Sequence, residues 1–170
     1  MKEVTKTYEV YNFNELDKEV REKLIEQKTQ ECQDDYCEYF LPDDMAYYAE
    51  ELLKKYFGEK AKLIDIHYDL SYCQGSGAMI EFEFEYYGKN IKVKHNRGSY
   101  CNAYTFILDY ANYEYLSEKR EEQLKDKIVT MNRELEKYGY ELIDYENFKN
   151  PAEEMLEEEM FLENGEVFNE

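Results

Sequence analysis

The chain has no tryptophan, only two prolines (Pro42 and Pro151), seven glycines and two histidines in 170 residues. No apolar run approaches the ~20 residues a bilayer requires. The opening MKEVTKTYEV also lacks the apolar core of a signal peptide. Those absences point to a cytoplasmic protein, in which Cys32, Cys37, Cys73 and Cys101 stay reduced. No Ser/Gly linker or low-complexity tract marks a boundary, and the length suits one domain over 1–170. Two histidines leave little for a hydrolytic triad. Basic residues are scarce too: 21 Lys and Arg stand against 40 Asp and Glu, a formal net of −19.

What is present decides how that charge is read. Acidic chains poor in aromatics stay disordered, but 19 Tyr and 9 Phe give this one enough apolar surface for a core. The acids therefore decorate a folded surface, which repels nucleic acid and membranes and attracts whatever binds them. A compact chain of this length has a radius of gyration of roughly 15 Å, hence a breadth of roughly 40 Å. Duplex DNA of that length carries about two dozen phosphates at one charge per ~1.7 Å. The chain's charge is of that order, so it is large enough to stand in for a nucleic acid. The alternative is acidity that serves only solubility.

Periodicity predicts an α+β fold: an antiparallel β-meander of four to five strands packed against amphipathic helices. Thr5–Tyr11 alternates as a strand. Asp17 caps a helix from Lys18 into the low 30s, with Val20, Leu24 and Ile25 inward. A second helix starts near Pro42–Asp44 and stops at Gly58. Strands follow over Ile64–Tyr72 and Met79–Tyr87, separated by Gln74-Gly75-Ser76-Gly77. A two-residue turn at Gly88-Lys89 sets Tyr87 against Asn90, Glu85 against Lys92, Phe84 against Val93, Glu83 against Lys94 and Phe82 against His95. A fourth strand runs over Asn102–Tyr110, with Tyr104, Phe106 and Leu108 inward. A helix over Ser117–Tyr138 carries the stripe Leu124, Ile128, Met131, Leu135 and Tyr138, and Gly139 ends it. Tyr140–Tyr145 reads as a short strand, and Asn150-Pro151 opens an acidic C-terminal helix over about 151–163.

Two acidic groups are candidate partner-binding sites. From Asn150 to Glu170 there are eight Glu and no Lys or Arg. Glu153, Glu154, Glu157 and Glu158 share a helix face, at a spacing where like charges repel. They form either a stripe for a basic groove or a solvated face. The second group is Asp34, Asp35, Asp43, Asp44, Glu50 and Glu51, interleaved with Tyr36, Tyr39, Phe40, Tyr47 and Tyr48. Rings and carboxylates together suit arginine-rich surfaces, and the alternative is core rings with capping acids. Cys32 and Cys37, with Cys73, Cys101, His67 and His95, lack the close Cys-x2-Cys spacing of zinc sites, so no metal or other cofactor is expected. Gln74–Gly77 precedes a strand, not a helix, and reads as a turn in place of a phosphate loop. Lys89, Lys92, Lys94, His95 and Arg97 form the densest basic stretch, with Lys92 and Lys94 answering glutamates across the hairpin.

The segments Tyr11-Asn12-Phe13-Asn14-Glu15-Leu16, Leu70–Ala78 (LSYCQGSGA), Gly139-Tyr140-Glu141 and Phe161-Leu162-Glu163-Asn164-Gly165 resemble a group of small acidic proteins of phages and prophages of Gram-positive bacteria. That group carries a SYSQGDGA-like motif, and this chain has Ser76 where the motif usually shows Asp. The resemblance implies a phage origin, a bacterial host cytoplasm and an α+β fold. In character it implies kinship with inhibitors of host defence nucleases, of the anti-CRISPR and anti-restriction kind.

The expectation is thus a non-catalytic inhibitor that mimics nucleic acid. Its partner is a basic nucleic-acid-binding host protein, such as a CRISPR effector or restriction enzyme; it contacts neither nucleic acid nor membrane directly. An exposed sheet edge would allow pairing into a homodimer. A second reading is a sponge for a nucleotide defence signal near Gly75, Gly77, His95 and Arg97. A third, a metal-dependent hydrolase built on His67 and nearby acids, has few histidines and no recognisable motif to draw on.

Overall fold

A computed structural model describes residues 6–96 and 100–168. In chain order the elements are β1 (Tyr11–Asn12), α1 (Lys18–Tyr39), α2 (Leu41–Phe57), β2 (Lys62–Asp69), β3 (Gly77–Tyr86), β4 (Lys89–His95), β5 (Phe106–Tyr110), α3 (Glu118–Leu142), α4 (Glu146–Glu157) and β6 (Met160–Phe161). The fold is α+β, with a four-stranded antiparallel meander in the order β2-β3-β4-β5. Among the described residues no helix is long and apolar enough to cross a membrane.

Where the sequence reads as one domain, contacts divide the chain into two compact units. One joins Met1–Tyr39 to Ile143–Glu170; the other is the contiguous stretch Phe40–Leu142. In the discontinuous unit, α1 packs against α4, and β1 pairs antiparallel with β6. Its core is small: Phe13, Leu16, Leu156 and Phe161, with Tyr11, Val20, Leu24 and Ile25 partly buried around them. The Phe13 and Phe161 rings lie 6.2 Å apart. Further along α1, Gln33 Nε2 donates to the Ile143 carbonyl at 2.6 Å, and Tyr36 meets Phe148 at 5.5 Å.

In the contiguous unit, α2 and α3 pack on each other and on the sheet. The alternation of β3 puts Ile80, Phe82 and Phe84 on one face and Glu81, Glu83 and Glu85 on the other. Phe57 of α2 sits 4.8 Å from Phe82 and 4.7 Å from Phe84. The expected stripe on α3 is buried at Leu124, Ile128, Met131 and Leu135, and Tyr138 stacks on Tyr48 at 4.0 Å.

Several boundaries differ from expectation, each for a physical reason. The hairpin turn is Tyr87-Gly88, with φ of 50° and 72°. Two positive φ values make the primed turn whose twist matches the strands, and glycine fills its second position. Pairing therefore runs Tyr86↔Lys89, Phe84↔Ile91, Glu83↔Lys92 and Phe82↔Val93. Lys92 now faces Glu83, two residues from its expected partner, and an even slip keeps every side chain on its face. Gly139 does not stop α3. A Cβ there would lie 2.8 Å from Leu70 Cδ1 and 3.1 Å from Met45 Sδ, so glycine serves close packing inside the helix. The helix takes Tyr140–Leu142 of the strand expected at Tyr140–Tyr145, and the rest is the turn into α4. Asn102–Thr105 is a turn, closed by the Thr105 N–H on the Asn102 carbonyl at 3.0 Å, which leaves Tyr104 exposed and not inward.

The acidic C-terminal helix spans Glu146–Glu157 in place of 151–163. Asp144 Oδ1 accepts the Glu146 N–H at 3.1 Å and starts it early, so Pro151 falls inside the helix. Of the strand expected over Thr5–Tyr11, only Tyr11 is paired among the described residues, and Thr5 lies outside them.

β3 and β4 pair only as far as Phe82↔Val93. Beyond it side chains take over. Asn132, fully buried on α3, accepts the Ile80 N–H at 3.1 Å and donates to the Ala103 carbonyl at 3.2 Å. Glu81 Oε1 accepts the His95 N–H at 2.6 Å. Replacing Asn132 by Ala leaves a buried donor and a buried acceptor unpaired, at ~1–3 kcal/mol each. Urea unfolding of Asn132→Ala should show a loss of about 3 kcal/mol. A loss under about 1 kcal/mol would mean water replaces the amide.

Candidate functional site

The charge is unevenly divided. Residues 1–39 and 143–170 carry 21 Asp and Glu against 7 Lys and Arg, a net of −14, while residues 40–142 carry 19 against 14, a net of −5. About two-fifths of the chain thus holds nearly three-quarters of its negative charge. The discontinuous unit is the acidic one.

Its acids follow helical spacing. On α1, Glu31, Asp34, Asp35 and Glu38 are all exposed and stand at i, i+3, i+4 and i+7, one continuous stripe. Gln30 Nε2 donates to Asp34 Oδ1 at 2.9 Å, and Lys28 reaches Glu31 at 3.4 Å. Asp35 and Glu38 meet no cation among the described residues. On α4, Glu154 and Glu157 are exposed and Glu153 is half-buried, while Glu158 caps the helix end. Glu157 Oε1 accepts from Asn14 Nδ2 at 3.4 Å. The side chains of Glu153, Glu154 and Glu158 have no hydrogen bond or ion pair among the described residues. Packing demands explain the arrangement: Phe148, Ala152 and Leu156 take the buried side of α4, and the glutamates keep the wet one.

The remaining expected site residues belong to the other unit. Asp43 and Asp44 occupy the first turn of α2, where carboxylates favour the helix dipole. Glu51 pairs with Lys54 at 2.9 Å, and Glu50 is exposed. The group that runs from Asp34 to Glu51 in sequence is therefore split between two units. Of its rings, Tyr39, Phe40 and Tyr47 are exposed, while Tyr36 and Tyr48 pack on Phe148 and Tyr138.

No family model, curated protein or solved structure matches the chain.

Among the described residues no three His, Cys, Asp or Glu side chains are placed to hold a metal ion. His67 and His95 do come together, with ring centroids 4.6 Å apart and planes 22° from parallel. Near-parallel rings aim their nitrogen lone pairs side by side and not at a common point. Glu81 Oε1 lies 3.3 Å from His67 Nε2 and Asp65 Oδ2 lies 3.8 Å from it.

The basic stretch is neutralised locally. Lys89 pairs with Glu114 at 3.4 Å and Lys94 with Asp109, not Glu83, while Arg97 lies outside the described residues. A phosphate cradle at Gly75 and Gly77 finds poor support. The Tyr100 ring covers Gly75, and a Cβ on Gly77 would lie 2.8 Å from the Glu136 carboxylate. A carboxylate in that position repels phosphate. The loop reads as a turn in the sequence, where Glu136 is not visible beside it, 59 residues downstream on α3. Tyr72 beside Gly75 and Gly77, and Tyr100 beside Gly98, were the available signal.

The cysteines are all free thiols. Burial first, and Asp69 second, push the Cys101 thiol up to about 11, so it stays protonated at ordinary pH. Cys73 is exposed on the β2–β3 loop. At pH 8 a maleimide should label Cys73 within minutes and leave Cys101 largely unmodified, which mass spectrometry of tryptic peptides reads directly. Equal labelling of the two would show that the β4–β5 loop opens to solvent.

Proposed function

We propose that this chain is a non-catalytic inhibitor that presents the acidic unit to the basic nucleic-acid groove of another protein. The observation that carries the reading is the concentration of 21 acids against 7 bases in that unit, on regular helix faces with few internal cations. Glu31 and Glu38 are seven residues apart on α1, about 10 Å along the axis at 1.5 Å per residue. Four carboxylates over that distance stand at mean axial intervals of about 3.5 Å, close to the ~3.4 Å of one DNA strand. Rigid helices hold them there, so a partner's arginines meet the charges without first ordering them.

The resemblance to phage proteins supports a defence nuclease or CRISPR effector as the partner class, acting in the bacterial cytoplasm. Such a complex would form quickly and weaken with salt, because exposed charges steer encounter more than they hold. The test is competition. The tagged chain captures its partner from lysate, and labelled duplex DNA then competes for it. The expected result is mutual exclusion, with elution at moderate salt. Changing Glu153, Glu154, Glu157 and Glu158 together to Gln should weaken binding about tenfold or more at ~0.15 M salt. A partner that holds the chain and the duplex at once would overturn mimicry, and unchanged affinity would remove α4 from the interface.

A further inference from the structure

We propose that the loop end of the Phe40–Leu142 unit is a second binding site, which takes the guanidinium of an arginine presented by a protein partner. The biological occupant rests on the basic partner proposed above; the chemistry rests on this unit alone.

The site is built on one stripe of α3. Arg133, Glu136 and Tyr140 stand at i, i+3 and i+7 and face the β2–β3 and β4–β5 loops. Arg133 donates to the Tyr104 hydroxyl, with its guanidinium 5.3 Å from that ring's centroid. Glu136 fits against Gly77 and Asn102, where a Cβ on Gly77 would lie 2.8 Å from Oε2. Tyr140 meets Tyr72 at 4.4 Å. Tyr100 lies over Gly75, at a φ of 99° and so close that a Cβ would stand 2.4 Å from the ring. Three large rings, Tyr72, Tyr100 and Tyr104, are nonetheless 75, 72 and 62% exposed. Tyr72 also holds a φ of 57°, a left-handed conformation that an L residue adopts at a cost.

Glu136 and Asp69 together give the patch its sign, against the one charge of Arg133. Glu136 is half-buried, and its side chain makes no hydrogen bond or ion pair among the described residues. Burial raises its pKa, and the nearby Arg133 only partly offsets that. Asp69 and Glu136 both raise the Tyr140 hydroxyl, behind burial as the larger cause. An unpaired carboxylate among exposed tyrosine faces matches arginine, which gives a carboxylate two parallel N–H bonds and stacks its plane on a ring. A lysine supplies only a point charge, and a phosphate is repelled.

The test uses the full chain with ¹⁵N label, titrated with Nα-acetyl-arginine amide. Saturable shifts should concentrate at Tyr72, Gly75, Gly77 and Glu136, and Glu136→Gln should weaken them at least fivefold. Acetyl-lysine amide should bind several-fold more weakly. A carboxylate raised in the fold contributes stability below its unfolded pKa and loses it as pH rises through the folded value. Glu136→Gln should therefore unfold later than the parent at pH 7, which separates lost binding from lost structure. Shifts spread evenly over the acidic surface, equal binding of lysine, or indifference to Glu136→Gln would each overturn the site. The fourfold change of Glu153, Glu154, Glu157 and Glu158 to Gln should leave the titration intact, so the two proposals fail separately.

Discussion

Carboxylates set the terms of this fold. Stripping one of water costs several kcal/mol unless cations or donors replace the hydration, and 40 acids have only 21 Lys and Arg to share. The acids must therefore stay wet. Acid-rich elements can bury little, so α1 buries only Thr29 completely. Fully apolar packing is confined mainly to one sheet face and the helices on it. The division into a charged unit with a small core and a less charged unit with a larger one follows from that constraint.

The acidic unit has few means of relieving its own repulsion. Its side-chain ion pairs among the described residues are exposed helical ones, such as Lys18–Glu22 at 3.5 Å, and such pairs add little. In the other unit the charges alternate across strands. Lys62, Glu83, Lys92 and Asp109 stand side by side through the register, so the outer sheet face is close to neutral locally. A basic partner would relieve the first unit and disturb the second. Under the proposed reading, that difference singles out the helical unit as the interface more strongly than the overall charge does.

Periodicity made the architecture legible, because alternation in Met79–Tyr86 and the four-three stepping from Leu124 to Leu135 are imposed by the core itself. It was less informative about ends and turns. Gly139 looks like a helix stop in sequence, yet Leu70 and Met45, distant along the chain, are what require a glycine there. Tyr87 at positive φ is tolerated only because the hairpin around it insists on that turn. The acids of the C-terminal helix were readable from composition alone. The split of Asp34 and Asp35 from Asp43 and Asp44 was not, since it depends on where α1 hands over to a separately packed unit. Glu136 was invisible for the same reason: its neighbours Gly77, at the start of β3, and Asn102, in the β4–β5 turn, are far away in the chain.

The insertion of one unit between the halves of the other also orders events during synthesis. β1 waits for β6, which lies some 150 residues downstream. At ~5–20 residues per second, α1 leaves the ribosome roughly 5–20 s before α4 can meet it. The contiguous stretch Phe40–Leu142 is complete earlier and can fold in that interval. The closing step then joins ends already tethered through a folded body and not through a hundred loose residues. During the wait α1, with seven acids against four bases, has no α4 to pack on.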